Sequence, residues 1–525
     1  MRCSCKFTLL FCLLATLSCT SAWAHIGSPT VFFEGNAGAY PLHVVITPPE
    51  VIPGLAEVSV RVESGNVQRV TALPIKWNAG RKGSPPPDLA QLVPGETNLY
   101  SAQLWFMADG AQSVEIDLSG SSGVGRATIP IDAVARRVMG VPKGLGFALS
   151  VLGLALVGVL VSIIGAAVRE SVLDPGLAPS RKRRWGAGGA MAGGTVLVVL
   201  FLLFGKKWWD AEAADYRNNR LYRPFAANAL VTAEEGKRRL TLTLDPPRPQ
   251  RATPVMADHG KLMHLFLIRE PALDVFAHLH PIKRGGRYRF ETELPNIPAG
   301  SYRLYADVTF ETGSAETSTT VVRIPAPAAG GEKEPASDSD QPPRPVDPDD
   351  SWRVMTSPKI VQPDRCPLSD QYEMTWLTPP RIEVNQQVKL RFNVRDKNGQ
   401  APELEPYLGM RGHMVLRSED GSVFIHVHPG GTPSMAAMQL SVLRTEGRLP
   451  LEAAFGSDDP MCVLPAPGQA EQNWLGGFGA DSDVSFPYAF PRAGRYRLWV
   501  QVKVHGEILT GVFDAQVELP TKLPG

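Results

Sequence analysis

Between His25 and about Val138 apolar and polar residues alternate in short runs: Leu42–Thr47, Ala56–Val62, Val67–Ile75, Tyr100–Met107, Ser113–Leu118 and Gly125–Ile131. Gly, Pro and Asn separate them. Side chains of a strand point alternately to opposite faces, so a period of two predicts half-buried strands. Six or seven such strands in about 100 residues predict an antiparallel β-sandwich over 25–138. The pattern then changes. Leu145–Val168 and Gly186–Phe204 are apolar segments without a charged residue, each long enough at about 1.5 Å per helical residue to cross a hydrocarbon layer of roughly 30 Å. They predict two transmembrane helices, 145–168 and 186–204. The loop 169–185 carries Arg169, Arg181, Lys182, Arg183 and Arg184, which favours a cytoplasmic position. Gly189 and Gly193 form a GxxxG that would let the helices approach closely.

Alternation resumes at Arg239–Leu244, Met263–Ile268, Val275–His280, Tyr288–Leu294, Tyr302–Thr309 and Ser318–Ile324, predicting a second sandwich over 225–328. Pro325–Asp350 is rich in Pro, Gly, Ser and acids and reads as an extended linker, 329–351. A third sandwich over 352–525 is predicted from Gln387–Val394, His413–Leu416, Val423–His428, Met438–Leu443, Tyr496–Val504 and Thr510–Val517. The expected fold is mainly β: three antiparallel Ig-like β-sandwich domains with a two-helix transmembrane hairpin between the first and second.

The second and third regions share a phrase. HLFLIREPALDVFAHLHP (His264–Pro281) and HMVLRSEDGSVFIHVHP (His413–Pro429) each open on a lone histidine, turn, and close on Phe-x-His-x-His-Pro. Each predicts a β-hairpin with Phe276, His278 and His280, or Phe424, His426 and His428, on one face. With the turns near Pro271 and Asp420, the opening histidine pairs with one of the later two, and three imidazoles converge. Three neutral imidazoles suit zinc or copper, with a carboxylate or thioether completing the shell. Candidate completers are Asp258, His259 and Asp307 in the first copy and Met410, Met414 or Gln501 in the second. A hydrogen-bonded surface His-x-His is the plainer alternative, and the repetition of all three positions in one chain weighs against it. Ala-Gly-Ser-Tyr-Arg-Leu-Tyr (299–305) and Ala-Gly-Arg-Tyr-Arg-Leu-Trp (493–499) extend the repeat and point to duplication.

A net charge of +1 with no long basic stripe argues against a nucleic-acid partner. Residues 1–24 have the form of a signal peptide, with Arg2 and Lys6 before an apolar core and Ala22-Trp23-Ala24 at its end. Cleavage there would make His25 the mature terminus, where amine and imidazole chelate one copper ion together, with His43 as a third ligand. Four of the six cysteines fall in this leader, which leaves Cys366 and Cys462 as a possible disulfide in the last domain or a metal-binding thiol pair. The chain contains no GxSxG, HExxH, P-loop or dinucleotide fingerprint, so an enzyme is not expected.

Lys261-Leu-Met-His-Leu-Phe-Leu-Ile, Phe-x-His-x-His-Pro and Ala-Gly-x-Tyr-Arg-Leu resemble the YtkA-like family of bacterial extracytoplasmic β-sandwich domains. Asn98–Met107, followed by Gly110 and the 120–129 strand, resembles the C-terminal half of the same family. The Ala24-His25 junction is similar to CopC-like copper proteins at that terminus alone. The resemblance implies a sandwich fold, an envelope location and an association with copper and other heavy-metal handling. Together these readings lead to the expectation of a membrane-anchored metal-binding protein. It would bind copper, or alternatively zinc, and would buffer the metal or deliver it to an envelope protein partner. Its soluble domains would lie outside the bacterial cytoplasmic membrane, in the periplasm. An assembly scaffold with structural or no metal is the alternative.

Overall fold

The computed structural model describes residues 25–26, 29–174, 176–234, 237–248, 253–326, 347–357, 360, 362–377, 381–451 and 482–520. The leader, Cys462 and most of the linker lie outside them. The chain is mainly β, built of antiparallel sheets, with two long apolar helices between its strand-rich regions.

The first strand-rich region follows the alternating runs closely. Tyr40–Thr47, Gly54–Val62 and Leu99–Phe106 pair in a five-stranded sheet whose edge, Val31–Ala37, was not signalled by periodicity. Val67–Lys76, Gly110–Gly120 and Gly123–Ala133 build a four-stranded sheet. Alternation at Tyr40–Thr47 is read directly in burial: Leu42, Val44 and Ile46 are fully enclosed.

The helices Lys143–Glu170 and Arg181–Asp215 form a compact unit with 50–52 and 134–222. Both are long and apolar enough to cross a membrane, and in their most apolar windows 0% and 6% of residues are buried. The helices meet at different glycines from those expected. A Cβ on Gly165 would fall 2.8 Å from Met191 Cγ and one on Gly194 2.8 Å from Ile164 Cδ1, whereas Gly189 and Gly193 face open space. Where the chain enters and leaves this unit it is tied together, Tyr222 N–H donating to Ala135 O at 2.7 Å.

The other strand-rich residues belong with the first region in one compact unit. In the second region the sheet Val255–Met256, Gly300–Phe310, His264–Glu270, Val275–Leu279 and Ser351–Val354 carries the first histidine hairpin. Ser351–Val354 follows the linker yet pairs with Val275–His278, so the boundary expected at residue 352 falls inside a sheet. In the third region the second hairpin, His413–Ser418 and Val423–Val427, lies in a six-stranded sheet with Gly494–Val504 and Glu507–Glu518. The segment Met438–Leu443, expected as a strand, lies within the helix Met435–Thr445. Ser434 caps it, its hydroxyl accepting the Ala437 N–H at 3.2 Å, and Gly447 at φ 71° ends it.

Both hairpin strands are buried on both faces. Leu265, Leu267, Ala277 and Leu279 pack into the second region's own core with Leu240, Leu242 and Phe290. Phe266, Ile268, Phe276 and Tyr305, on the reverse face, belong to a cluster with Phe424 and Trp499 of the third region. The contact is reciprocal, as across a two-fold axis. Tyr305 stacks on Phe424 (centroids 3.7 Å, 4° between planes), and its counterpart Trp499 stacks on Phe276 (5.2 Å, 13°). Arg417 Nε donates to Tyr305 Oη at 2.9 Å. Tyr305→Ala removes both the stack and that acceptor. It is expected to cost about 3–5 kcal/mol, seen as a lower denaturation midpoint of the full-length chain.

Candidate metal centre

Register decides whether the histidines converge. Phe266 pairs with His278 and Leu265 with Leu279, so one step further His264 stands across from His280. Met414 pairs with Val427 and Val415 with His426, which places His413 across from His428. The three histidines of each hairpin therefore share one face, and their nitrogen donors form two groups within 4.8 Å: His264, His278 and His280, and His413, His426 and His428. Met414 lies one residue from His413, points to the opposite face and is fully buried in core, so it is not a completer.

The face that bears each triad is also the face by which the two repeats pack. The triads consequently join in one cluster, with ring centroids 5.5 Å apart for His264 and His426, 5.9 Å for His278 and His426, and 6.3 Å for His278 and His413. His259 is a seventh member, 5.2 Å from His428 and 5.3 Å from His413. All six hairpin histidines are buried.

In five of the six rings one nitrogen is hydrogen-bonded to an acceptor, and in the sixth, His426, it lies beside a carboxylate. His264 Nε2 lies 3.2 Å from Asp258 O, and His413 Nε2 3.0 Å from Tyr407 O. His278 Nδ1 lies 2.9 Å from Gln501 Oε1 and 3.1 Å from Tyr407 Oη, whose own proton goes to Asp349 O. His426 Nδ1 is 3.4 Å from Asp307 Oδ2. His280 Nδ1 is 2.9 Å from Asp350 Oδ1, and His428 Nδ1 3.2 Å from Pro433 O. Carbonyl oxygens and ionised carboxylates only accept, so with Asp307 and Asp350 ionised these nitrogens carry the ring protons. The remaining nitrogens, Nδ1 of the opening histidine and Nε2 of the other two in both triads, are then bare.

Bare nitrogens face each other. His264 Nδ1 and His278 Nε2 are 3.1 Å apart, as are His413 Nδ1 and His426 Nε2. His280 Nε2 and His428 Nε2 are buried with no hydrogen-bond partner. Two unshared pairs at that distance repel unless a cation lies between them. A proton is disfavoured: burial, reinforced by the neighbouring imidazoles, holds His264, His278, His413 and His426 well below the ordinary histidine pKa. A metal ion fits. At a tetrahedral ion with Zn–N bonds of about 2.0–2.1 Å, two ligand nitrogens are separated by roughly 3.3 Å. Acceptors on the far nitrogens are what fixes tautomer and ring orientation in histidine metal sites.

The supports cross between repeats. Gln501 and Tyr407 of the third region hold the first triad's His278, while Asp307 of the second region holds the second triad's His426. Asp307 lies across the ladder from His264, yet its carboxylate serves the other copy as an orienting group. Burial pushes its pKa up to about 7. Gln501 occupies the corresponding place opposite His413.

Met410 is buried in a turn where it exchanges backbone hydrogen bonds with Tyr407. The backbone of His25 pairs in parallel with Val423, beside the strand of the second triad. His43 lies apart, across the ladder from Glu34 and Arg61, and desolvation lowers its pKa; no donor group within 4.8 Å among the described residues includes it. Cys366 is buried, its Sγ accepting Val512 N–H at 3.3 Å; its suggested partner Cys462 is outside the described residues. Tyr407 and Asp350 carried no signal in the sequence. Asp350 ends the segment read as linker, and Asp347 and Asp349 beside it pair with Lys261 at 2.6 and 3.0 Å, so this end of the linker is folded onto the site.

A protein-family model described as a domain of unknown function (DUF8832) matches residues 226–326 and 368–519, the two histidine repeats. No curated protein matches the chain. Solved structures with some likeness include a tetra-tandem repeat from the extending region of a large adhesion protein (9% identity, 90% of this chain and 72% of that one, TM-score 0.15). Another is a putative membrane anchored protein from Corynebacterium diphtheriae (11%, 94% and 97%, 0.14). An engineered protein matches over 18% of this chain and 20% of its own length (16% identity, 0.15). TM-scores of this size define no shared fold.

Proposed function

We propose that this chain is a membrane-anchored extracytoplasmic metal-binding protein that holds two ions, one in each histidine triad, and buffers or delivers them. The observation that carries the reading is the pair of bare imidazole nitrogens 3.1 Å apart, found identically in both triads. All-imidazole sets suit copper and zinc, and copper is the preferred cargo here, in keeping with the YtkA-like resemblance of the hairpins. The two long apolar helices and the signal-like leader support an anchor in the bacterial cytoplasmic membrane with the β-rich unit in the periplasm, where an envelope protein would receive the metal.

The cross-repeat supports favour a second reading, in which a structural ion fastens an assembly scaffold. The two readings separate on metal removal: a cargo site leaves a folded chain that rebinds its ions, and a structural one leaves an unfolded chain. For the full-length protein in detergent, equilibrium dialysis against Cu²⁺ or Zn²⁺ followed by elemental analysis should give two ions per chain. His278→Ala/His280→Ala should retain one. Equal uptake by both proteins would remove the metal-binding reading altogether.

A further inference from the structure

His259 belongs to neither triad, yet its ring is as enclosed as theirs. It occupies a two-residue turn with Gly260, at φ 53° and 78°, closed by reciprocal hydrogen bonds of 2.9 Å between Asp258 and Lys261. The third region repeats this turn at the corresponding place: Leu408 and Gly409 at φ 50° and 76°, closed by Tyr407 and Met410. The two turns meet, since a backbone hydrogen bond to Leu408 engages the His259 ring. Where the first turn presents an imidazole, the second presents an isobutyl group.

The His259 side chain is 3% exposed, and its Nε2 is buried with no hydrogen-bond partner, as is His428 Nε2. Asp258 Oδ1 lies 3.9 Å from His259 Nε2 and is held in place by the Ala436 N–H at 2.8 Å. Asp258, His259 and His428 each offer a donor within 4.8 Å of the others. Gly260 is exposed and His259 as a whole residue only half-buried, so the turn that carries Asp258 and His259 forms the rim of a centre whose six hairpin histidines are buried.

We propose that Asp258, His259 and His428 form a third metal site, a loading site for the second triad. This rests on the reading of the triads as metal sites and adds how one of them is filled. His428 Nδ1 is committed to Pro433 O, so its single bare nitrogen, Nε2, serves either the triad or the rim set at one time. Sharing makes the two sets exclusive, and it supplies a path. An ion taken up by one carboxylate and two imidazoles keeps its bond to His428 while Asp258 and His259 are exchanged for His413 and His426. No bare ion crosses the interior, and no electron or proton need be supplied. Harder oxygen at the rim and nitrogen alone within give the direction for a borderline or soft cation. At the matching turn Leu408 gives the first triad no imidazole, and the donor set that adjoins this triad, His280 with Asp347 and Asp350, does not involve that turn.

The test follows Co²⁺ uptake and release by its ligand-field absorption in stopped flow, using the full-length protein in detergent. With His280→Ala disabling the first triad, adding His259→Leu should leave one ion bound at the end point. Uptake and release should each slow about tenfold, a barrier change of roughly 1.4 kcal/mol. With His428→Ala disabling the second triad, the same substitution should change neither rate. Leucine already occupies the matching left-handed position at 408, so the turn accepts it; His259→Gln, which retains a polar side chain, serves as the second variant. Wild-type rates for both variants in the His280→Ala background overturn the loading site and leave the triads standing. A third resident ion, lost on His259→Leu, overturns the shared-ligand path. If His280→Ala and His428→Ala each bind as many ions as wild type, it is the triads that fail.

Discussion

The double variant His280→Ala/His428→Ala should bind no ion where the parent binds two. Each substitution removes the ring whose Nε2 is buried and unpartnered, and each leaves only two histidines of its triad, 3.1 Å apart. Loss of a partner that only orients a ligand costs about 10–100-fold in affinity, and loss of the ligand itself exceeds that. The single variants should lose one ion each, because the sets share no ring. The outer groups allow a finer check. Each triad has one histidine held by a carboxylate, His280 by Asp350 and His426 by Asp307. Asp350→Asn should therefore weaken the first triad and Asp307→Asn the second, each by about 10–100-fold. Competition titration against a chelator of known affinity reads both, and an Asp307→Asn effect confined to the first triad would contradict the crossed arrangement.

That crossing is the part of the site least legible in the sequence. The hairpins themselves were readable: a period of two with Phe-x-His-x-His-Pro places alternate residues on one face, and the register bears this out for all six rings. Their partnership was not, since nothing in a linear pattern states which face meets which sheet. One signal lay unused in His264–Ile268, HLFLI, where neither alternate set is polar. Such a strand needs cover on both faces, and one sandwich core supplies only one. Asp307 is expected from the sequence to complete the first triad, and the fold sets it opposite His264 with its carboxylate beside His426 of the second. Asp350 was masked by the composition of the segment before it. Met438–Leu443 is a short apolar run that periodicity alone cannot divide between strand and helix; Ser434 before it and Gly447 after it were the deciding capping signals. Gly189 and Gly193 satisfied a motif, while the close approach of the helices falls at Gly165 and Gly194, where facing side chains leave no room for a Cβ.

Freed of metal, the protein should lose stability steeply as the pH falls below about 6.5. Burial holds His259, His264, His278, His413 and His426 well below their ordinary pKa in the folded chain. When the pH passes downward through the unfolded value of about 6.5, the unfolded chain takes up protons that the folded chain refuses. Stability then rises with pH and falls with acid, by up to roughly 1.4 kcal/mol per pH unit for each such histidine. Asp307 runs the other way. Its carboxyl, raised to about 7, keeps a proton in the folded chain that the unfolded chain has released, so below pH 7 it offsets one histidine and not five. A net slope of several kcal/mol per pH unit is comparable to the whole stability of a typical domain, about 5–15 kcal/mol, so the packing of the two repeats should fail within about one to two pH units of 6.5. Bound metal should oppose this, adding about 2.7 kcal/mol per ion at a free concentration a hundred times its Kd. Thermal melts of chelator-treated and metal-loaded protein between pH 8 and pH 5 measure both effects. Superimposable melting curves for the metal-free chain across that range would mean that these imidazoles are not held neutral by burial. The bare nitrogens on which the two ion sites depend would then carry protons instead.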